Sequence, residues 1–259
     1  MKHASAGQIA MPMKPAIEAP SPTPFPYGDY LTAKTALEDA TRAGFFYGAI
    51  MGPTGTGKTS LMRELRQGFD RHRHNVMYLL ASNVSLLGLV RYFAQGLHVT
   101  PRRSSLETSR LITQAIRGQP AHVLAWIDEA HRLPPSILAE IVSLAEFDPD
   151  APQVFSVVFS GPLELGAVLD DRRLAALRRR ITVRCSLAGL RRDELDPFLR
   201  HRFGGAEARL LAPLRDELFE RTRGAPAVID AVVRAVLRRG GVGEVSEAAL
   251  REALDVQAA

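Results

Sequence analysis

The chain contains a single cysteine, Cys185, and only four lysines: Lys2, Lys14, Lys34 and Lys58. One thiol excludes an internal disulfide and a cysteine-built metal cluster, and it suits a reducing cytosol. No apolar run approaches the ~18–20 residues needed to span a bilayer. The opening stretch, MKHASAGQIAMPMKPAIEAP, lacks the apolar core of a signal peptide. The expected location is therefore cytoplasmic, with no membrane partner. The scarcity of lysine carries a second message. All the other basic residues among the 33 are arginines, and beyond Lys34 only one lysine remains. Lys58 thus marks a place that needs a compact ammonium on a flexible stem, where elsewhere arginine suffices for charge.

What is present is ordinary for a globular protein: 259 residues, 46% hydrophobic and 24% charged. That length fits one α/β domain with a smaller appendage. A net charge of +5 and a pI near 9.7 favour acidic partners such as nucleic acid, although +5 is mild over this length.

Residues 1–28 are rich in proline and small polar residues and read as a flexible tail or docking arm. A helical pattern follows, with Ala33, Ala36, Leu37 and Ala40 on one face. FFYGAIMG (45–52) reads as a buried strand leading into a loop and a helix over about 58–69. Four more strands are expected at 75–82, 122–130, 153–161 and 181–190, with helices between them. PPSILAEIVSLAEF (134–147) opens with the prolines that favour a helix start. Strands alternating with helices imply a five-stranded parallel sheet covered on both faces, an α/β fold. After Leu190 the strand pattern stops. Residues 190–259 read as a helical domain of three or four helices, so the α/β domain covers 29–189.

GPTGTGKT (Gly52–Thr59) matches the phosphate-loop pattern in full, and it lies between a predicted strand and a predicted helix. Gly52, Pro53, Thr54, Gly55, Thr56, Gly57, Lys58, Thr59 and Ser60 form the candidate nucleotide loop. Its glycines let backbone amides turn toward phosphate oxygens at a helix N-terminus. Lys58 can reach the β- and γ-phosphates of ATP, and Thr59 can ligate Mg²⁺. LAWIDEAH supplies the second half. Asp128 ends an apolar strand and emerges where ligands bind in such sheets, as a second Mg²⁺ ligand. Glu129 is the candidate to polarise the attacking water. The strand at 75–82 lies between the two motifs, an order that fits the additional-strand class of P-loop ATPases, where an extra strand separates the phosphate-loop strand from the acidic one. The letters DEAH also occur in helicases, which need two tandem cores; this chain holds one.

Taken together, these residues resemble the AAA+ superfamily over about 30–255. Within it they look most like the ExeA-type ATPases and the transposition helpers MuB, TnsC and TniB. The carrying segments are GAIMGPTGTGKTSLMREL, VLAWIDEAHRLPPSILAEIVSLAEF, VVFSGPLEL, LRRRITVRCSLAGLRRDEL, RTRGAPAVIDAVVRAVL and VSEAALREAL. The resemblance implies a polar sensor at the end of the fourth strand, which falls on Ser160; the glutamine often found after the next glycine is Pro162 here. It implies a lid arginine after a Gly-x-Pro turn, where this chain has Ala227, so lid contact is expected to be apolar. Phe25-Pro26-Tyr27 is a candidate to pack on adenine.

Five arginines crowd into DDRRLAALRRRI (Asp170–Ile181), read as one helix with Arg172 and Arg173 on the face of Arg179 and Arg180. The resemblance selects Arg180, with Arg179 as alternative, as a finger that completes a neighbouring subunit's site; a solvated basic face or a DNA contact remain open. It further implies a homo-oligomer, a hexameric ring or helical filament, acting on duplex DNA with a protein partner such as a transposase. Arg102 and Arg103 in VTPRRSS are the DNA-backbone candidates. The alternative outputs are ExeA-like secretion and protein remodelling or regulation without DNA.

Overall fold

The computed structural model describes residues 23–81, 85–118, 120–146, 155–239 and 247–258. The predicted tail falls largely outside these. Residues 23–27 are described and packed: Tyr27 is buried, and the Phe25 ring meets Phe198 edge-on, with centroids 5.7 Å apart. Aromatic burial here outweighs the proline-rich composition.

Five strands form one parallel sheet: β1 (Tyr47–Met51), β2 (His74–Leu80), β3 (His122–Asp128), β4 (Ser156–Gly161) and β5 (Ile181–Ser186). Their order is β2-β3-β4-β1-β5. β2, which intervenes in the sequence, lies at the sheet edge, and β4 is the strand that separates β1 from β3 in space. Central β4 is buried at every position, which explains its unbroken apolar reading.

The alternation of side chains along a strand sorts the core into two layers. Val123, Ala125 and Ile127 of β3 face one apolar cluster, while Leu124 and Trp126 face the other. The first layer is closed by α3 (Leu86–Gly96), α4 (Ser105–Arg117) and α5 (Pro135–Ala145), with α6 (Glu164–Leu169) and α7 (Ala175–Arg180). The second is closed by α1 (Gly28–Ala43), α2 (Lys58–Gly68) and the helices after β5. Those are α8 (Leu195–Phe203), α9 (Gly205–Leu210), α10 (Arg215–Thr222), α11 (Pro226–Arg239) and α12 (Glu247–Ala258), more than the three or four expected. Short pieces such as α9 escape a period-based reading because they span less than two turns.

DDRRLAALRRRI is not one helix. α6 ends at Leu169, a 3₁₀ turn covers Arg172–Leu174, and α7 restarts at Ala175. Asp171 causes the break. Its carboxylate accepts the Arg173 backbone N–H at 2.8 Å and pairs with the Arg173 guanidinium at 2.7 Å. This local bonding competes with helix continuation. The two arginine pairs therefore do not share a helix face.

Candidate functional site

The carboxyl ends of β1, β3 and β4 lie together, because Met51 pairs with Gly161 and Ile127 with Phe159. The phosphate loop leaves this edge. Gly52 is forced there by space: a Cβ would stand 2.3 Å from the Leu187 carbonyl oxygen. Gly57 precedes α2 with φ +102°, a conformation that favours glycine. It offers no side chain to cap α2, and the first turn holds no acidic residue, so the amides of that turn suit an outside anion. The loop is braced from α1. The Tyr27 hydroxyl donates to the Thr56 carbonyl at 2.7 Å, and the Tyr30 ring lies against Gly57 while its hydroxyl donates to Glu64 at 2.6 Å.

Lys58 is buried, and its Nζ donates to the Gly52 carbonyl at 2.6 Å and the Pro53 carbonyl at 2.9 Å. Burial pushes its pKa down, against the pull of the nearby Asp128 and Glu129 carboxylates. The ammonium is held inside the loop beside the acidic pair.

Asp128 is the hub of the polar network. Its Oδ2 accepts from Thr59 Oγ1 at 3.1 Å and from the Tyr78 hydroxyl at 2.9 Å. Its Oδ1 accepts from Ser160 Oγ at 2.7 Å and from the Glu129 amide at 3.1 Å. Hydroxyl and carboxylate oxygens are the donor set that Mg²⁺ prefers, and Thr59 with Asp128 presents both kinds side by side. The phosphate cradle and this oxygen pair fit a magnesium nucleotide.

Ser160 is wholly buried. It accepts from Trp126 Nε1 at 2.7 Å while donating to Asp128. Its geometry is that of a positioning residue, fixing the Asp128 carboxylate from behind. Tyr78 was not singled out from the sequence. Burial, with the bond to Asp128, pushes its phenol up to about 12, so it remains a donor at neutral pH. In the fold Tyr78 pairs in register with Trp126, two residues before Asp128, so the three share a sheet face. A tyrosine there reaches the carboxylate.

Glu129 adopts φ 56° and ψ 34°, a left-handed conformation that turns the chain out of β3. Its carboxylate lies 3.7 Å from Arg132 Nε and 3.9 Å from His131 Nδ1. It lines a cavity of about 450 Å³ with Lys58 and Thr59. The same cavity is walled by Phe25, Tyr27 and Tyr30 from the α1 side. Pro226 and Ala227 at the start of α11 close it, and the Ala227 amide donates to the Gly55 carbonyl at 3.1 Å. Ala227 is apolar as expected, yet the helical wall is not: Arg202 of α8 and Asp230 of α11 also line the cavity.

The other candidates lie apart. Arg180 precedes β5, whose first residue pairs with Tyr47 at the start of β1. It therefore sits at the sheet edge opposite its own phosphate loop, about 16 Å away along a five-residue strand. Its guanidinium pairs with Glu146 at 2.5 Å, and Glu146 accepts from the Tyr47 hydroxyl at 3.1 Å. Arg179 is exposed beside it. Arg102 and Arg103 are exposed between α3 and α4, outside the cavity. Among the described residues no helix is long and apolar enough to cross a membrane.

Residues 46–169 match the family described as AAA domain. General secretion pathway protein A of Aeromonas hydrophila is 26% identical over 160 residues, which cover 59% of this chain and 29% of that protein. The chain thus matches under a third of that relative's length. The Aeropyrum pernix ORC2 protein, solved in ADPNP-ADP complexes, superposes with a TM-score of 0.68 at 14% identity, covering 93% of this chain and 70% of that one. The Aeropyrum pernix ORC1 protein in complex with DNA gives 0.60 at 17% identity, covering 88% and 64%. Such identities speak to the fold, which is that of the P-loop AAA+ ATPases. Domain match, phosphate loop and fold together support an AAA+ ATPase.

Proposed function

We propose that the chain binds and hydrolyses Mg-ATP as an AAA+ ATPase, with residues 29–189 as the nucleotide-binding domain and 190–259 as a helical lid. The observation that carries this reading is the 3.1 Å bond between Thr59 Oγ1 and Asp128 Oδ2, which joins the two motif halves beside Lys58. The amides of Gly55–Ser60 and the Lys58 ammonium hold the phosphates. Thr59 and Asp128 hold Mg²⁺, which supplies charge neutralisation on the phosphate oxygens when bound. Ser160 and Tyr78 keep the Asp128 carboxylate in place. Glu129, whose amide donates to Asp128 while its carboxylate turns into the cavity on a left-handed residue, orients and polarises the attacking water.

Arg180 stands too far from its own phosphate loop to act there, so it serves a neighbouring copy, with Arg179 as alternative. Such a residue is worth ~10³–10⁵ in rate in related NTPases. Hydrolysis then requires a homo-oligomer, a ring or a helical filament. The oligomer acts on duplex DNA as a targeting helper for a partner of the transposase kind, with Arg102 and Arg103 on phosphates. The fold shared with a protein solved on DNA supports this output. The match to a general secretion pathway protein favours the second reading, a secretion or remodelling ATPase without DNA contact.

A salt titration of duplex binding with and without ATP separates the two. The DNA reading expects ATP-dependent binding that weakens steeply with salt and loses slope when Arg102 and Arg103 are replaced by alanine. No binding with ATP at low salt removes it and leaves the second reading.

A further inference from the structure

A carboxylate that polarises water must keep one oxygen aimed at it. Two neighbours converge on the other oxygen of Glu129. Arg132 Nε lies 3.7 Å and His131 Nδ1 3.9 Å from the same atom, Oε2, so Oε1 is left for the cavity. The local backbone produces this convergence. Glu129 turns the chain through a left-handed residue into the 3₁₀ turn Ala130–Arg132, which the Arg132 amide closes by donating to the Glu129 carbonyl at 2.9 Å. Side chains three apart eclipse in such a turn, which brings Arg132 over Glu129. His131 is the histidine of the DEAH stretch, and the nucleotide chemistry above gives it no role.

The two braces are unequal. Arg132 is 59% exposed, so water screens its charge and competes for it. His131 is 23% exposed, and its Nδ1 is buried with no hydrogen-bond partner among the described residues. A buried ring nitrogen without a partner is costly, and Glu129 Oε2 is the acceptor beside it. The ring is seated against the end of β4, where a Cβ on Gly161 would stand 3.3 Å from Nδ1. The bond that a histidine makes decides which nitrogen carries its proton, and a neighbouring carboxylate places that proton on Nδ1. Hydrogen bonds of catalytic groups are often long until substrate binds and then tighten, here from 3.9 Å to about 3 Å. His131 and Arg132 line a separate cavity of about 520 Å³, whereas Glu129 lines the nucleotide cavity. His131 therefore acts on the glutamate and not on the nucleotide.

We propose that His131 is a positioning residue that donates from Nδ1 to Glu129 Oε2 and so turns Oε1 toward the attacking water. This inference rests on the role proposed above for Glu129 and adds the group that aims it.

The test is steady-state ATP hydrolysis by the full chain. His131→Ala is expected to lower kcat about tenfold or more, the loss of one bond to a charged group, and to leave KM for ATP within about twofold. His131→Asn puts an amide N–H where Nδ1 stands and is expected to restore most of kcat, whereas His131→Gln puts it where Nε2 stands and is not. In a Glu129→Gln background His131→Ala is expected to cost nothing further, because the carboxylate that it aims is gone. Three results overturn the inference: a kcat within about twofold in folded His131→Ala, equal rates for the Asn and Gln variants, or the same fractional loss with and without the Glu129 carboxylate. The comparison of Asn with Gln decides the matter if His131→Ala does not fold. If Glu129→Gln itself keeps full turnover, the role of Glu129 falls; if it is slow while His131→Ala is not, only the positioning falls.

Discussion

Replacing Ser160 by alanine tests the network behind Asp128. Ser160 and Trp126 are both fully buried, so neither loses a partner to water. The substitution deletes a 2.7 Å bond to the Asp128 carboxylate, worth about 1.5–3 kcal/mol for a charged acceptor. It also strands the Trp126 Nε1–H, whose 2.7 Å partner is the same hydroxyl, at about 1–3 kcal/mol. The expected total is about 2.5–6 kcal/mol, a large share of the ~5–15 kcal/mol that holds a typical domain. Urea unfolding followed by circular dichroism measures it. Trp126→Phe removes the stranded donor, so the double variant should cost less than the sum of the singles by about 1–3 kcal/mol. Trp126 is the only tryptophan, so its emission reports the lost bond directly in the Ser160→Ala chain. A cost below about 1 kcal/mol together with additive singles would show that the hydroxyl does not bridge the two groups.

Four further outcomes follow from the geometry. Lys58→Ala should abolish nucleotide binding, whereas Glu129→Gln should keep binding, slow hydrolysis about 10²-fold or more and accumulate ATP-bound oligomers; a binding isotherm and a turnover assay separate them, and binding that survives Lys58→Ala refutes the phosphate site. Gly52→Ala forces a Cβ to 2.3 Å from the Leu187 carbonyl, so the loop must shift, and both melting temperature and nucleotide affinity should fall. Arg180→Ala breaks an ion pair whose guanidinium is 42% exposed, so stability should move by less than about 1 kcal/mol while ATP binding persists and turnover drops about 10³-fold; unchanged turnover counts against the finger. Burial, then the neighbouring His74, lowers the His122 pKa from 6.5 to about 4, so the unfolded chain binds the extra proton and stability is lost as pH falls from 6.5 toward 4; discounted for partial solvent access the loss is about 1–2 kcal/mol, and His122→Gln should flatten that part of the pH–stability curve.

The parts of this architecture visible in the sequence are those with short-range causes. The phosphate loop is legible because its whole pattern lies within eight consecutive residues and Gly57 answers a local demand, a positive φ; the space demand on Gly52 comes from Leu187, far along the chain, and is not legible there. Strands β1, β3 and β4 are legible because apolar runs in a doubly covered parallel sheet have little else to be, whereas β5 alternates, with Thr182, Arg184 and Ser186 exposed. The break in DDRRLAALRRRI was hidden for the opposite reason. Its arginine spacing fits a helix, but Asp171 satisfies the Arg173 amide first, and a choice between two local bonding patterns is not a matter of periodicity.

Tertiary placement explains the remaining misses. Tyr78 reaches Asp128 only because β2 pairs with β3 in a register no local pattern fixes. The helical wall of the cavity makes the same point more sharply. Ala227 stands where the family resemblance places an arginine, and on sequence alone the wall reads as apolar there. In the fold, α8 brings Arg202 into the cavity from 25 residues earlier, and Asp230, one turn beyond Ala227, fixes it at 2.5 Å. The wall thus carries a charged pair, Arg202 with Asp230, although Ala227 itself is apolar. A position-by-position comparison with a motif detects the missing arginine at Ala227 but is blind to this pair, because the pair depends on how α8 and α11 pack.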